Sequence, residues 1–406
     1  MHAAHHKIGN GNEEFKRFEE TVVKRHREQM KQELAKKLEE MDRTTAQELL
    51  KTGQYVDKGC VRRKVQTSVG VVWVKVKRLK WKQRPGSIYP LFDICGVSRV
   101  SERAQEHCVQ VAIGQSYETS RQTLEQLSGM EMSRMSIWKV VQSRGQQQRQ
   151  KVEEQRRKVF QLGEIPSGCK PPKKTAVVQV DGTLVATREV KEIEKLNGRR
   201  RMEVKVGVAF TGTERLSAQR RRTLQRIYYA EAGNSEEFGE RWYTQCLRHG
   251  IAPETDVRLV GDGAGWIRTL QQAMFPGSRY TLDAYHLQRT AREVLTQRQY
   301  KQFRSLVWSN QAREALGYVK HLRPSDEEHR RALEDFAGYL ERNLDGMRYD
   351  RHGPVGSGVV EKAIDIVVAR RMKRRGMIWT REGANNLLAL RAAFLNEQYN
   401  IRVPSP

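Results

Sequence analysis

The sequence predicts an α/β protein in which a mixed β-sheet with helices follows an N-terminal region of helices and one β-ribbon. Three observations predict this fold class. Short apolar runs of strand length recur after residue 175 and alternate with helical patterns, which indicates a mixed sheet. Residues 61–80 alternate apolar and polar side chains, as in a half-exposed ribbon. Residues 13–52 and 117–144 repeat apolar side chains at helical spacing.

The charge of the chain indicates a polyanionic partner. Its 406 residues include 74 Lys and Arg against 48 Asp and Glu, a net charge of +26, and such an excess is typical of nucleic-acid-binding proteins. No apolar run reaches the length of a membrane span, the N-terminus lacks the apolar core of a signal peptide, and the 5 cysteines form no C-x-x-C pair. We therefore expect a cytoplasmic protein with no membrane partner, no disulfide framework and no cysteine-based zinc site.

The first element is a helical segment over residues 13–52. Its apolar stripe consists of Phe15, Phe18, Val22, Met30, Leu34, Leu38 and Met41. This stripe favours packing or self-association, and contact of the charged face with DNA is the less favoured alternative.

The second element is the β-ribbon. One face carries Val72, Val74 and Val76, and the other carries Trp73, Lys75 and Lys77. Lysines on an exposed strand commonly prevent edge-to-edge aggregation, so their contact with DNA phosphates stays an alternative.

Residues 117–144 form the third element, a helix, a turn at Gly129 and a second helix capped by Ser133. The second helix would place Ile137 and Val140 inward and Arg134, Ser136 and Lys139 outward. This pattern fits a helix-turn-helix whose second helix enters a major groove, and it fits a plain helical hairpin equally well. The net charge favours DNA binding, with Arg134 and Lys139 as contact residues.

The sheet follows a proline-containing linker. Strands are expected over 176–180, 203–210, 226–230, 257–260 and 279–282, with helices over 235–248 and 264–273. Residues 284–349 show helical spacing without a strand-like run, and a final helix is expected to begin near Gly358. An all-helical segment therefore separates the last strand from the last helix.

Two strands are expected to end on an aspartate followed by glycine: Asp181 follows VVQV and Asp262 follows RLVG. A carboxylate at the carboxyl end of a sheet strand lies in the crevice where α/β folds build sites. A single Asp-Gly pair is also a common turn, but two such junctions in one sheet indicate a site. The GDGAG stretch is not a dinucleotide loop, because Trp266 replaces the glycine or alanine that the fingerprint needs.

A third acid, Glu361, lies near the start of the last predicted helix. With Gly358 as the N-cap, Glu361 would be the third helical residue, where a glutamate can simply bond backbone N–H groups. The same helix is expected to carry five basic side chains, Arg370, Arg371, Lys373, Arg374 and Arg375. These would wrap most of the helix, and a carboxylate on such a helix suits a metal site beside a phosphate backbone.

These residues lie within a series of motifs: VDGT at Asp181, EVKVGV after it, GDGAGWI at Asp262, LDAYH at Asp283, and GSGVVE at Glu361 followed by RMKRRGMIW. In this order, over about 175–395, the series resembles bacterial insertion-sequence transposases of the Kra-type and Lre-type groups, relatives of the Mutator-like and hAT transposases. The N-terminal half resembles them more loosely, and it lacks the cysteine pair that many relatives carry after the ribbon.

The resemblance implies an RNase H-like catalytic domain with an all-helical insertion, and a DDE triad of Asp181, Asp262 and Glu361. The triad implies two Mg²⁺ or Mn²⁺ ions, with Asp181 bridging them and Asp262 and Glu361 each holding one. The implied activity is that of a transposase that binds terminal inverted repeats, cleaves double-stranded DNA and joins the freed 3′-hydroxyl to target DNA. The implied partners are DNA and further copies of the chain, as a homodimer or higher homo-oligomer, at the bacterial nucleoid.

This interpretation divides the chain into six segments. They are an N-terminal helical segment (1–58), the basic ribbon (59–105), a helix-turn-helix-like region (106–165), the first part of the catalytic domain (172–283), the helical insertion (284–350) and the C-terminal catalytic part (351–406). DNA contacts are expected from Arg134 and Lys139 and from the five basic residues after Glu361.

Asp283 and His286 are further candidates for catalysis. A lone histidine after a strand is more often a packed residue. Here the strand end should face the same crevice as Asp181, the three-residue spacing lets Asp283 orient the imidazole, and the related transposases carry an acid or cysteine three residues before a histidine. We expect His286 beside the metal site without being a ligand. Two other functions stay open: a DNA-binding regulator without catalysis, and a structure-selective nuclease without strand transfer.

Overall fold

The computed structural model describes residues 6–188, 194–196, 199–217, 221–349 and 356–396. The chain forms two compact units, Met1–Val141 and Gln142–Pro406. Among the described residues, no helix combines the length and the apolar character that crossing a membrane requires.

The first unit contains a long helix and a three-stranded antiparallel sheet. Helix α1 (His6–Lys51) precedes the strands β1 (Tyr55–Thr67), β2 (Gly70–Trp81) and β3 (Ser87–Ile88), which pair in the order β1-β2-β3. In β2, Val72, Val74 and Val76 are buried, whereas Trp73 is 51% exposed. The predicted ribbon, with one apolar face, is therefore confirmed.

Helix α1 packs on this sheet through its second half. The Asp42 carboxylate accepts hydrogen bonds from the backbone N–H groups of Lys77 (2.6 Å) and Leu91 (3.0 Å). Burial raises the pKa of Asp42, and these two hydrogen bonds partly offset the rise. In the first half of α1, Phe15 and Phe18 are each 65% exposed. Packing within the unit therefore explains only part of the predicted apolar stripe.

Four more helices follow: α2 (Pro90–Asp93), α3 (Glu102–Ala112), α4 (Tyr117–Ser128) and α5 (Arg134–Leu162). Helix α4 ends at Gly129, which has a left-handed φ of 67°, as is common at helix ends. The Ser133 hydroxyl accepts from the backbone N–H of Ser136 (3.1 Å) and so caps α5. The predicted inward residues Ile137 and Val140 are buried, and the predicted outward residues Arg134 and Lys139 are exposed.

The second unit is built on a six-stranded mixed sheet. Its strands are β4 (Thr175–Ala186), β5 (Glu194–Leu196), β6 (Arg199–Phe210), β9 (Ile227–Glu231), β10 (Asp256–Gly261) and β11 (Arg279–Leu282), and a separate hairpin is made by β7 (Gly212–Arg215) and β8 (Arg221–Leu224). The order is β11-β10-β4-β6, and both β5 and β9 pair with β6. β10 is parallel to β4 and β11, whereas β6 is antiparallel to β4 and β9. The predicted mixed α/β sheet is confirmed.

Helices α6 (Ser235–Arg248) and α7 (Gly265–Met274) contribute to the core on one face of this sheet. The buried Trp242 of α6 belongs to the same apolar cluster as Val178 and Val180 of β4. Gly207 of β6 leaves room for that ring, since a Cβ there would lie 2.7 Å from it. Because side chains alternate along a strand, Asp181 lies on the opposite face of the sheet.

Four helices lie between β11 and the last part of the unit: α8 (Ala284–Val294), α9 (Gln297–Trp308), α10 (Ala312–Lys320) and α11 (Glu327–Arg342), with a 3₁₀ turn at Leu344–Met347. Phe303 of α9 and Phe336 of α11 pack with their ring centroids 5.5 Å apart. The described residues from Ala284 to Tyr349 contain no strand, in agreement with their helical spacing.

The last part of the unit contains a helix in three consecutive parts, followed by a separate helix. Helix α12 (Gly358–Ala363) runs through a π-helical segment, Ile364–Ala369, into α13 (Arg370–Met372), and α14 (Arg381–Leu395) follows. The buried Arg391 of α14 donates hydrogen bonds to the carbonyl oxygens of Val367 (2.6 Å) and Ile366 in the π-segment. Such segments are rare and often lie at functional sites, and Arg391 stabilises this one.

Candidate active site

The first acid lies within β4 rather than at its end. Asp181 pairs with Val206 of β6, and β4 continues to Ala186. The expectation that Asp181 ends its strand is wrong because β6 supplies antiparallel partners for every residue from Val177 to Ala186. The pairing with β6 therefore continues on both sides of Asp181 and fixes its backbone.

The pKa of Asp181 reflects its burial and the charges of three other acids. Its carboxylate accepts a hydrogen bond from the backbone N–H of Gly182 (2.6 Å). Burial raises the pKa of Asp181 to about 6; the bond from Gly182 opposes this rise, and the negative charges of Asp262, Glu361 and Asp283 add to it. The negative charges of Asp262, Glu361 and Asp283 therefore act on the carboxylate of Asp181.

The second acid directly follows β10, as predicted. The register of β10 with β4 pairs Val260 with Gln179, and these residues lie two positions before Asp262 and Asp181, respectively. The backbone carbonyl of Asp262 accepts a hydrogen bond from the Tyr339 hydroxyl of α11 (2.7 Å). The helical segment after β11 therefore helps to fix the turn that carries Asp262.

The third acid lies on α12. The N-cap of this helix is Ser357, not Gly358, because Gly358 is already part of the helix; Glu361 is therefore its fourth residue rather than its third. The backbone N–H of Glu361 donates to the Ser357 carbonyl (3.1 Å), and the Glu361 side chain is exposed. Its carboxylate is thus accessible to a ligand.

The donor set of Asp181, Asp262 and Glu361 fits a hard divalent cation. Carboxylate oxygens are the ligands that Mg²⁺ and Mn²⁺ prefer, and a cation would offset the like charges that raise the pKa of Asp181. Among the described residues, no three Asp, Glu, His or Cys side chains form a ready-made cluster of metal ligands. Binding of a metal ion would therefore require side-chain movement, for which the exposed Glu361 has room.

The basic residues after Glu361 lie in different structural environments. The helix ends at Met372, so the expectation that Lys373, Arg374 and Arg375 lie on it is wrong, and these three residues follow it. The Lys373 ammonium group donates to the Thr183 hydroxyl (2.5 Å). Burial lowers the pKa of Lys373, the charge of Arg201 lowers it further, and the charge of Asp181 opposes this fall. Lys373 therefore contacts β4 two residues beyond Asp181.

The expectation that all five basic residues contact DNA is wrong for Arg371. Its side chain is fully buried, and the guanidinium carbon lies 5.2 Å from the centroid of the Trp379 ring. It also donates to the Met377 sulfur (3.8 Å). A buried guanidinium does not reach a phosphate backbone, so Arg371 is a core residue. Arg370, in contrast, is exposed and forms an ion pair with Asp365 (3.0 Å).

Asp283 was predicted to orient the imidazole of His286, and it does not. One carboxylate oxygen of Asp283 accepts from the backbone N–H groups of Tyr285 (2.8 Å) and His286 (3.3 Å), which caps α8. The other accepts from the backbone N–H (3.1 Å) and the hydroxyl of Ser357. The imidazole of His286 instead contacts the Arg289 guanidinium, 3.2 Å from Nε2. One carboxylate oxygen is used in the helix cap and the other in the bonds to Ser357, so neither bonds the imidazole as predicted.

Gln179 is a residue of this site that sequence reasoning missed. Its side-chain amide donates to the Gly356 carbonyl (3.1 Å) and accepts from the Val360 backbone N–H (3.0 Å). The signal was present in the sequence, since Gln179 is the single polar residue within the apolar run AVVQV. A polar residue in a buried strand needs partners, and these lie at the start of α12.

A basic cleft lies at the opposite end of the sheet, near the start of β4. Its volume is about 450 Å³. The cationic side chains that line it are Lys170, Lys173, Arg222 and Arg226. No Asp or Glu is among its described lining residues.

The second unit is thus an α/β domain with an acidic site where β4, the end of β10 and α12 meet. Over residues 10–403 the chain matches a family described as an uncharacterised protein family, UPF0236. The chain belongs to this family. No curated protein matches the chain.

Proposed function

We propose that this chain is a DDE transposase, which binds the terminal inverted repeats of an insertion sequence and catalyses metal-dependent cleavage and strand transfer of DNA. The observation that carries the proposal is the placement of three acids: Asp181 on β4, Asp262 directly after the parallel neighbour β10, and Glu361 on a helix whose start is hydrogen-bonded to Gln179 of β4. The order of the motifs around these three acids supports the same assignment.

The strand arrangement supports an RNase H-like fold for the second unit. In the order β9-β6-β4-β10-β11, the strands β4, β6 and β9 are antiparallel neighbours, and β10 and β11 are parallel to β4. The first acid is then on the central strand, the second follows its parallel neighbour, and the third is on a late helix. On this basis we infer that residues 284–349 are a helical insertion before the last catalytic helix.

In this mechanism Asp181 would hold both ions, and Asp262 and Glu361 would hold one each. Two divalent ions, when bound, supply an activated water and neutralise charge on the leaving oxygen. The ammonium group of Lys373, within Coulomb range of Asp181, would hold a phosphate of the scissile strand. Because a carboxylate must be ionised to bind a cation, binding should weaken as the pH falls through about 6, the pKa of Asp181.

The first unit would recognise the element ends. Arg134 and Lys139 are exposed on α5, and on the ribbon the Arg62 guanidinium lies 5.0 Å from the ring centroid of the exposed Trp73. Exposed cations suit phosphate contacts, which fix a protein on a duplex. The exposed Phe15 in the first half of α1 supports association of copies of the chain on DNA.

Labelled terminal-repeat duplexes, incubated with the full chain in Mg²⁺, test the proposal. We expect cleavage at the boundary of the element, joining of the new 3′ end to target DNA, and neither product in EDTA. Specific binding without cleavage would instead favour a DNA-binding regulator. Cleavage governed by DNA structure, without joined products, would favour a nuclease.

A further inference from the structure

We propose that Gln179 and Asp283 are positioning residues that clamp the start of α12 and so set the location of Glu361 relative to Asp181. The inference rests on the proposed function, because it concerns the same acids. Gln179 and Asp283 are each 1% exposed. Both side chains form hydrogen bonds with the few residues that precede Glu361, and Asp283 also caps α8.

Gln179 connects this turn to the strand of the first acid. It lies two residues before Asp181 on β4, on the same face of the sheet. Its amide group donates to the carbonyl of Gly356 (3.1 Å) and accepts from the backbone N–H of Val360 (3.0 Å). A planar amide that bonds both sides of one turn constrains the turn in position and in orientation. Val360 immediately precedes Glu361.

Asp283 connects the same turn to the end of β11. One oxygen atom caps α8 through the backbone N–H of Tyr285 (2.8 Å), and the other accepts from the backbone N–H of Ser357 (3.1 Å) and from its hydroxyl. The chain therefore enters the helical segment at Asp283 and returns to the same side chain at Ser357. This contact closes the base of that segment at the first turn of α12.

The backbone at this point is tightly enclosed. A Cβ on Gly356 would lie 2.5 Å from the Tyr285 ring and 3.5 Å from the Asp283 carboxylate. Without the Gln179 amide, the Gly356 carbonyl and the Val360 backbone N–H would lose these hydrogen bonds, and the turn would be held less firmly. Catalytic groups are more demanding, since a displacement of about 1 Å can cost about 10²-fold in rate. A clamp on the turn before Glu361 meets that demand.

Thermal unfolding of the full chain at increasing Mn²⁺ concentration tests the clamp without using cleavage. Gln179→Met keeps the side-chain volume and removes both hydrogen bonds. Gln271→Met is the matched control, because Gln271 is also buried and hydrogen-bonded, to the Ser278 carbonyl (3.1 Å), but on α7. We expect both variants to unfold at lower temperature without metal. Only Gln179→Met should raise the Mn²⁺ concentration for half-maximal stabilisation, by about 10-fold or more, as is usual when the support of a metal ligand is lost.

A milder pair of variants covers the case in which Gln179→Met does not fold. Ser357→Ala removes one hydroxyl that bonds Asp283, and Ser120→Ala removes a buried hydroxyl that bonds the Ser116 carbonyl (2.8 Å) in the first unit. The Mn²⁺ midpoint should rise in Ser357→Ala alone. Midpoints equal to those of the matched controls would overturn the clamp while leaving the proposed function intact. A wild-type chain that Mn²⁺ does not stabilise would overturn both.

Discussion

The two ends of the central sheet carry opposite charges at different energetic cost. At one end, burial and the charges of neighbouring acids raise the pKa of Asp181 to about 6. At the other end, Lys170, Arg222 and Arg226 line the basic cleft and are exposed to water. Water stabilises an exposed cation, whereas partly buried like charges are costly unless a counter-ion joins them. A bound cation would offset the cost at the acidic end, whereas the exposed cations of the basic cleft are stabilised by water.

The largest effect expected at the acidic end is on catalysis. Asp181→Asn, Asp262→Asn and Glu361→Gln should each lower Mg²⁺-dependent DNA cleavage by about 10³-fold or more, because ligands of catalytic ions are worth several kcal/mol. DNA binding should be retained. Asp256→Asn is the control, since Asp256 begins β10 at the far end and forms an exposed ion pair with Arg279 (3.0 Å). Near-normal cleavage by any one of the three variants would remove that residue from the site.

The next largest effect is expected in the basic stretch after α12. Arg371→Ala should lower the free energy of unfolding by about 2–4 kcal/mol, because it removes a fully buried side chain and leaves a cavity. Arg375→Ala, at an exposed position, should change stability by less than about 0.5 kcal/mol and should weaken DNA binding. Urea denaturation and DNA titration of both variants check this division. Equal stability of the two variants would contradict the structural role of Arg371.

A smaller effect is expected in the pH dependence of stability without metal. Since folding raises the pKa of Asp181 from 3.8 to about 6, the folded state holds this proton more tightly than the unfolded state. The destabilisation is absent below about pH 4, grows as the pH rises to about 6, and is complete above that. In EDTA at pH 7.5, Asp181→Asn should be more stable than the wild type by about 1–2 kcal/mol, after allowance for partial exposure. At pH 4 the two should coincide. A variant that is less stable at pH 7.5 would show that the Asp181 charge carries no such cost.

The smallest effect is expected at the basic end. Arg222→Ala and Arg226→Ala should each change the free energy of unfolding by less than about 0.5 kcal/mol, because both side chains are exposed. Chemical denaturation measures the change. A loss of about 2 kcal/mol or more in either variant would mean that this end also carries a structural charge cluster, and the contrast between the two ends would be lost.

The sequence alone identified the candidate acids, but it did not predict their positions within the strands or their hydrogen-bond partners. Apolar strand runs followed by Asp-Gly located Asp181 and Asp262, since both features are local. That Asp181 lies inside its strand depends on the length of β6, its antiparallel partner, which no local pattern encodes. For the same reason the oxygen atoms of Asp283, which are bonded to Ser357 and to the start of α8, could not be assigned from a three-residue spacing.

The burial of Arg371 could not be predicted from local sequence patterns either. Five basic residues in a short stretch predicted a continuous helix, but the helix ends at Met372. Trp379 then returns to cover the Arg371 guanidinium, 5.2 Å from its ring centroid, and that contact joins residues on both sides of a turn. Gln179 is the opposite case, because a polar residue inside an apolar strand run is visible in the sequence and calls for a buried partner.

Calorimetric titration of the full chain with Mn²⁺ at pH 7.5 tests the central claim most directly, because it asks whether the acidic end holds cations without requiring a DNA substrate. The wild type should bind two ions, as two-metal sites do, and Asp256→Asn should match it. Asp181→Asn should lose both ions from the measurable range, since Asp181 is proposed to bridge them. Unchanged stoichiometry and affinity in Asp181→Asn, or no binding by the wild type, would contradict the account.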